Sequence, residues 1–510
     1  MPIPDQNIAW PPEPWPFAYA QYRENDAWLT GNVDELQRIY QREEQQATHT
    51  RRGERMRGGI VGAATRLFWG RPVPVGENRT RLHVPAPADL ATLASDLVFA
   101  EPPKVLARDE AAQARLDVIA NSDESTATFQ QMGELKSALG SAVLVSRWDA
   151  TVSDHVWLEA SAADVVIPTF QNGRMVECTL WTEYRDNTVG TVWRHLEHHA
   201  RGYIEHALFE GRDDNLGRRV PLTERPETAY LAQLVNSDSV ILTGLDRLTA
   251  SWNPNMQSMA WRKRGVLANA GRSDFAQLIP LFDWLDETFS SWMRDLRQGA
   301  GKVLVPEAAL DMGLVGQGAG FDAGREYFAG LNIPGDPSKV AFDKIQFEIR
   351  VEEHERTAFA IYREILRKAG FSQGSWGDYT SESGQMTATE VHDRKSTSER
   401  TRDKKILRDR QAIAQQSAVA LELDGILFPG KGGKRLADLP TVEFPDVSQE
   451  DPATLAQTLA VLQTAGASST EQMVRRANPD WGEDQIGDEV KAIRAERAVP
   501  DPATFTGLEE

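Results

Sequence analysis

Residues 371–385 read FSQGSWGDYTSESGQ, and residues 386–425 read MTATEVHDRKSTSERTRDKKILRDRQAIAQQSAVALELDG. The first stretch is rich in Gly and Ser and shows no apolar period, so it reads as a loop. The second has neither Pro nor Gly before Gly425. Thr387 or Thr389 can serve as its N-cap, and Glu390 stands three residues after Thr387 as in a capping box. About ten turns of helix fit in this span at 3.6 residues per turn. Past its first turn, Val391 is the one large apolar residue before Ile406 and Leu407. A helix that is polar all round has to be held by i,i+4 pairs such as Glu390–Arg394, by burial between copies of itself, or by lining a solvent-filled space. A loop feeding such a helix points to an assembly rather than to an enzyme.

The 510-residue chain is too long for one simple core, and ordinary domain sizes predict roughly three domains. Its formal charge of −19 argues against wrapping nucleic acid with the whole surface, though not against handling DNA without gripping it. A single cysteine, Cys178, excludes intrachain disulfides and multi-thiolate zinc sites, and reads as a buried or idle thiol. No basic-then-apolar leader opens the chain, and no window approaches the ~18 apolar residues of a membrane span, so a soluble protein folding in a reducing compartment is expected.

Outward from the opening stretch, the chain changes character several times. Residues Met1–Ala20, rich in Pro and Trp, read as an arm without a core of its own. Residues Val33–Gln46 are helical in pattern, and the basic run Arg51, Arg52, Arg55, Arg57 that follows reads as a solvated face. LATLASDLVFA (Leu90–Ala100) is an amphipathic helix stopped by Pro102-Pro103. Between Val143 and Leu222 the dominant period is two, with turn signals such as Gln171-Asn172-Gly173, predicting an antiparallel sheet unit. Phe275, Leu278, Phe282, Leu285, Phe289, Trp292 and Leu296 then step by three or four along a helix that Pro280 either kinks or begins. A compact insert follows Gly299-Ala300-Gly301, then a second helix at about Glu352–Lys368 that stops at Gly370. From Leu436 to Glu510 there are fifteen Asp or Glu against five Arg or Lys, in a small acidic helical domain with a frayed tail.

Catalytic signatures are missing. There is no G-x-S-x-G, H-E-x-x-H or G-x-x-x-x-G-K-[ST] in the chain, so neither a hydrolase nor a P-loop motor is indicated. His195, His198, His199 and His206 invite a metal reading. They alternate faces of one hairpin without a supporting carboxylate spacing, and are better read as polar positions of a half-exposed hairpin. Asp213-Asp214-Asn215 lacks the remaining ligands of a calcium loop and reads as a turn. Gly316, Gly318 and Gly320 do not form a dinucleotide fingerprint and read as a loop.

The order of segments resembles the portal protein family of tailed bacteriophages, from about Ala27 to Ala498. The resemblance is carried by LATLASDLVFAEPPKV, by ALGSAVLVSRWD, and above all by SESGQMTATEVHDRKSTSERTRDKK. It implies an α+β portal fold. Residues 1–273 would be the wing and 274–300 the first stem helix. The small α/β clip would be 301–347, the second stem helix 348–370 and the tunnel loop 371–386. The long helix would run over 387–424, and the acidic helical crown over 425–510.

The resemblance further implies a structural protein with no enzymatic role and no cofactor. It would form a homo-oligomeric ring of about twelve subunits at one capsid vertex. Double-stranded DNA would pass through the axial channel during packaging and ejection. The large terminase and later a head-completion adaptor would dock on the clip, with major capsid and scaffolding proteins around the ring and no membrane. Its place would be the virion's portal vertex, after assembly in the host cytoplasm. The residues this singles out in the tunnel loop are Gln373, Ser375, Trp376, Tyr379 and Thr380, of which Trp376 and Tyr379 would touch DNA or pack on a neighbour. Lys395, Arg402 and Lys405 of the long helix would mainly serve salt bridges. Val303, Val305, Phe321, Tyr327 and Phe342 would form the clip contact. Competing readings are another head–tail connector ring, a portal of a gene-transfer-agent-like particle, and a DNA-processing enzyme. Connectors are much shorter, and the missing Walker A loop counts against the enzyme.

Overall fold

The computed structural model describes residues 3–40, 82–186, 190–299, 302–304, 311–312, 319–320, 343–345, 349–372, 388–445, 452–478 and 481–497. Two units separate, Met1–Phe444 and Pro445–Glu510.

The N-terminal segment is not a coreless arm. Helix α1 (Trp15–Thr30) stops at Gly31 in the left-handed region and buries Trp15, Ala18, Tyr22 and Trp28 within its own chain. Trp10 meets Trp181 edge-on, and Tyr19 donates from its hydroxyl to the Val166 carbonyl at 3.1 Å. Two large indoles and a tyrosine supply enough apolar area to order the segment in place, at roughly 25 cal/mol per Å² buried. The composition that suggested an arm is what docks it.

Helices α2 (Ala86–Phe99), α3 (Glu110–Ile119) and α4 (Asp123–Leu139) follow. Each of the latter two starts at a side chain that accepts a backbone N–H, Asp109 from Ala112 and Ser122 from Ser125. Strand β1 (Lys104–Leu106) pairs antiparallel with residues Thr441–Glu443, which ties the end of the first unit back to its beginning. Strand β2 (Ser141–Arg147) lies centrally between β3 (Trp157–Ala162) and Ala250–Pro254 in a three-stranded antiparallel sheet.

β2 is buried on both faces. Ala142 and Leu144 join Phe129, Leu158 and Ile413 in one core, while Val143 and Val145 pack with Val166, Cys178 and Leu180 in another. A strand covered on both sides reads as an unbroken apolar run rather than an alternation, which accounts for SAVLV. Burial also pushes the Cys178 thiol up to about 12, so the cysteine is inert.

The second sheet has six strands: β4 (Val166–Gln171), β5 (Arg174–Asp186), β6 (Thr191–Ala200), β7 (Tyr203–Arg212) and β8 (Asn215–Val220) in order, with Val240–Leu242 also on β7. Asn172 (φ 51°) and Gly173 (φ 79°) make the two-residue turn between β4 and β5, where a positive φ at both positions matches the twist of a hairpin. The four histidines are not half-exposed. All are buried, with His195 and His206 stacked at 5.3 Å between centroids, His198 against the Thr179 hydroxyl and His199 against that of Thr249. Strand-to-strand stacking covers a face that alternation alone would leave to solvent.

Helix α5 (Ile279–Gly299) begins one residue before Pro280, so the proline occupies the first turn, where its missing N–H costs nothing. Helix α6 (Val351–Ala369) returns against it. Between them the strand pairs Lys302–Leu304 with Asp343–Ile345, and Asp311–Met312 with Ala319–Gly320, are described. Helix α7 runs from Ala388 to Leu427, forty residues, continuing past Gly425.

The second unit has helices Pro452–Thr464, Thr470–Ala477 and Glu483–Arg497, with Val474, Ile486 and Val490 as its small core. Residues 425–444, grouped by sequence with the acidic C-terminal region, belong to the first unit.

Candidate functional site

The long charged helix is held by its own chain. From Ser398 onward α7 buries Ser398, Arg402, Lys405, Asp409, Ile413, Gln416, Ala420 and Asp424. These steps of three and four residues are the spacing of an ordinary core stripe, filled here largely by polar groups. Each polar position finds a partner on another element. Lys405 Nζ pairs with Asp274 and donates to Asn255 Oδ1 at 2.6 Å, and Asp274 also accepts from the Ser137 hydroxyl at 2.8 Å. One turn on, Asp409 pairs with Lys136 of α4 and accepts from Asn253 Nδ2 at 2.8 Å. Gln416 donates to Ser146 Oγ at 2.6 Å and to the Thr249 carbonyl at 2.8 Å. Asp424 takes a two-pronged pair from Arg115 of α3, at 2.7 and 2.8 Å, and also accepts from the Val156 N–H.

Lys136 and Asp409 are almost wholly withdrawn from water. Burial pushes the Lys136 ammonium below its ordinary pKa, and the Asp409 carboxylate opposes the shift. Buried pairs of this kind add little net stability over an apolar pair. They make any misplacement of α7 expensive, because it would strand a charge in the core.

Where α6 ends, the chain is fastened to α7 twice. Helix α6 ends at Gly370 (φ 87°), with the Phe371 N–H bonded back to the Leu366 carbonyl. A side chain at 370 would be strained by that φ, and its Cβ would lie 2.7 Å from Thr401 Oγ1. Thr401 donates from its hydroxyl to the Gly370 carbonyl at 2.7 Å, and the Ser372 N–H donates to Ser398 Oγ at 2.8 Å. These bonds clamp residues 370–372 to residues 398–401. The first ten residues of α7, 388–397, extend beyond the clamp, about 15 Å of helix at 1.5 Å per residue.

α5 and α6 form an antiparallel pair. At one end Phe282 and Leu285 pack with Ile365, Leu366 and Phe371; at the other, Asp295 meets Arg350 at 2.8 Å and His354 at 2.9 Å, and Trp292 stacks on His354. Asp286, buried in α5, accepts from the Tyr40 hydroxyl at 2.6 Å and from the Val84 N–H at 2.8 Å, and so roots the pair in the N-terminal region. The outward faces of the pair carry exposed Trp284, Met293, Leu296, Val351 and Phe359.

A family model described as phage portal protein, SPP1 Gp6-like, matches residues 21–499. The chain belongs to that family of portal proteins. The family is structural rather than catalytic, and this portal-family chain is the portal or connector of a phage-type head vertex. A search of curated proteins finds no match. Among solved structures, a chain of the virion of a native gene transfer agent particle is similar at 15% identity over 82% of this chain and 99% of its own, with a TM-score of 0.37. A chain from the neck of an empty gene transfer agent particle, computed with C6 symmetry, is similar at 15% identity over 82% and 98%, with a TM-score of 0.40.

Of the residues singled out from sequence, Arg402 donates to the Leu97 carbonyl at 2.9 Å and Lys405 sits in the buried pair with Asp274. Lys395 lies on the projecting part of α7, and Val303 on the strand Lys302–Leu304. Gln373, Ser375, Trp376, Tyr379, Thr380, Val305, Phe321, Tyr327 and Phe342 fall outside the described residues. Sequence reading missed Lys136, Asp274, Arg115 and the Ser398–Thr401 clamp. The available signal was a charge inside an otherwise apolar run, as in GELKSALG and RSDFAQL. Among the described residues no cluster of His, Cys, Asp and Glu could hold a metal ion, and no helix is long and apolar enough to cross a membrane.

Proposed function

We propose that the chain assembles into a closed ring of about twelve copies whose axial channel passes double-stranded DNA into and out of a capsid. The family match over residues 21–499 carries this reading. In it, residues up to 273 are the wing, α5 and α6 are the stem, and the segment between them is the clip that meets the large terminase and then a head-completion adaptor. Residues 371–386 are the tunnel loop and residues 425–510 the crown. Major capsid and scaffolding proteins surround the ring, which assembles in the host cytoplasm.

Several physical features support it. A channel along which DNA slides has to avoid the many phosphate contacts that release counterions and hold a duplex, and a chain of charge −19 suits that demand. The exposed Trp284, Met293, Leu296, Val351 and Phe359 on the stem pair give neighbouring stems an apolar surface to bury, at about 1.5–3 kcal/mol per large side chain. The clamp at 370–372 and 398–401 lets a loop project from a fixed body. Negative-stain microscopy of purified protein tests the reading. Rings with a central hole are expected; a compact monomer at high concentration would overturn it.

A further inference from the structure

We infer that the cleft between the outward face of α7 and the β4–β5 hairpin is where the acidic helical layer of a second copy of this chain docks. This rests on the ring reading above and assigns the two surfaces through which neighbouring copies meet. The cleft holds about 900 Å³ and is walled by the hairpin turn, residues 246–252 and α7. Arg174, Arg201, Arg247 and Arg408 line it against one carboxylate, Asp246. A second cleft of about 560 Å³ continues from it along α7, and adds Arg272 and Lys404 with no carboxylate. Among the described residues, Arg174, Arg201, Lys404 and Arg408 are all exposed and make no ion pair. Such a concentration of unpaired cations is out of keeping with a chain of net charge −19.

The same unit carries the complement. Between Ala86 and Leu139, helices α2 to α4 and their connections expose nine carboxylates, of which Asp109 pairs with Lys434, against Lys104 and Arg108, since Arg115 and Lys136 are buried in their own pairs. Asp96 of α2 and Glu134 of α4 stand on two helices packed together, where Ser95 donates from its hydroxyl to the Gln130 carbonyl. A head-to-tail ring needs two different, complementary surfaces on each copy. The basic cleft and the acidic layer use separate elements and supply such a pair.

Protein is favoured over nucleic acid as the occupant by what lies among the cations. Phe170, Trp252 and Leu439 face into the first cleft, and Leu407, 65% exposed, borders the second. Apolar anchors ringed by arginines are the composition of a protein–protein contact, and Arg is enriched at its energetic centre.

The experiment compares three full-length preparations by native mass spectrometry and sedimentation velocity, after the ring reading has been checked by ring formation of the wild type. Arg174→Glu with Arg408→Glu reverses the cleft, and Asp96→Lys with Glu134→Lys reverses the layer. All four residues are exposed, so wild-type thermal unfolding is the folding control. Each reversed variant alone is expected to need at least a tenfold higher concentration to form rings. An equimolar mixture of the two is expected to form rings again, because reversed clefts then meet reversed layers in alternation. Rings from either variant alone at the wild-type concentration would overturn the inference, as would failure of the mixture to recover. Variants that form rings normally but retain less DNA would make the cleft a nucleic-acid surface and also overturn it. If the wild type forms no ring, the fault lies with the ring reading itself.

Discussion

Replacing Asp409 by Ala leaves the Lys136 ammonium in the core without its paired carboxylate. Asp409 is fully buried and the Lys136 side chain is 1% exposed, so water offers little compensation. Breaking one partner of such a pair costs about 3–5 kcal/mol. Asn253 Nδ2 loses the same acceptor, worth about 1–3 kcal/mol if it stays unsatisfied. Lys136→Met is expected to cost a similar amount by stranding the carboxylate. The double change Lys136→Met with Asp409→Leu removes both charges, with Leu somewhat larger than the Asp it replaces. It should lie within about 2 kcal/mol of the wild type, since the orphaned Asn253 takes back part of the gain. Urea unfolding followed by tryptophan fluorescence, at a concentration where all four proteins share one oligomeric state, gives the coupling energy directly. A coupling of about 2 kcal/mol or more is expected. If either single change costs less than about 1 kcal/mol, or the double change costs the sum of the two, the spine does not hold α7 in the way described.

Three further outcomes are expected. Burial pushes His206 down to about 4, so between pH 6.5 and 4 the unfolded chain binds a proton that the folded chain refuses; stability therefore rises with pH across that window. His206→Gln should flatten the slope of unfolding free energy against pH there by up to about 1.4 kcal/mol per pH unit, and an unchanged slope would refute the buried neutral imidazole. Gly370→Ala meets both a left-handed backbone and Thr401 Oγ1 at 2.7 Å, and Thr401→Val removes the bond to the Gly370 carbonyl. The first should cost about 1–2 kcal/mol and the second about 1, with limited proteolysis accelerated between residues 373 and 397 in both. Trp376→Ala with Tyr379→Ala should lower the DNA packaged or retained per particle, measured by quantifying encapsidated DNA; unaltered packaging would remove DNA contact from the role of these aromatics.

Much of the architecture was legible because it is written in local signals. The Gly370 stop, the Asn172-Gly173 turn, the apolar helix ended by Pro102-Pro103 and the apolar face of α5 each rest on short-range chemistry. The N-terminal segment and α7 were misjudged for one shared reason. Their stabilising partners are far away in sequence: Trp10 meets Trp181, Asp409 meets Lys136, and Asp424 meets Arg115. Periodicity reports which residues share a face, and assumes that a buried face is apolar. In α7 the buried stripe mixes Ser, Arg, Lys, Asp and Gln with Ile413 and Ala420, so the period was present while its usual composition was diluted. The histidines were placed on the correct strand, but burial on both sheet faces depends on layers that alternation does not reveal.

A charged helix after a loop can be imagined as a lever, with motion of the loop carried along it into the body. The spine argues otherwise. Shifting α7 beyond Ser398 would have to break the Lys405–Asp274, Asp409–Lys136 and Asp424–Arg115 pairs together. At about 3–5 kcal/mol each, that exceeds the 1–3 kcal/mol typical of coupling between sites several times over. From Ser398 on, α7 therefore acts as an anchor in the first unit. The few bonds at Gly370, Ser372, Ser398 and Thr401, at about 1 kcal/mol each, fasten the start of that anchored stretch far more weakly. Fastenings so much weaker than the spine behind them would yield first under load, and would leave the helix beyond Ser398 seated.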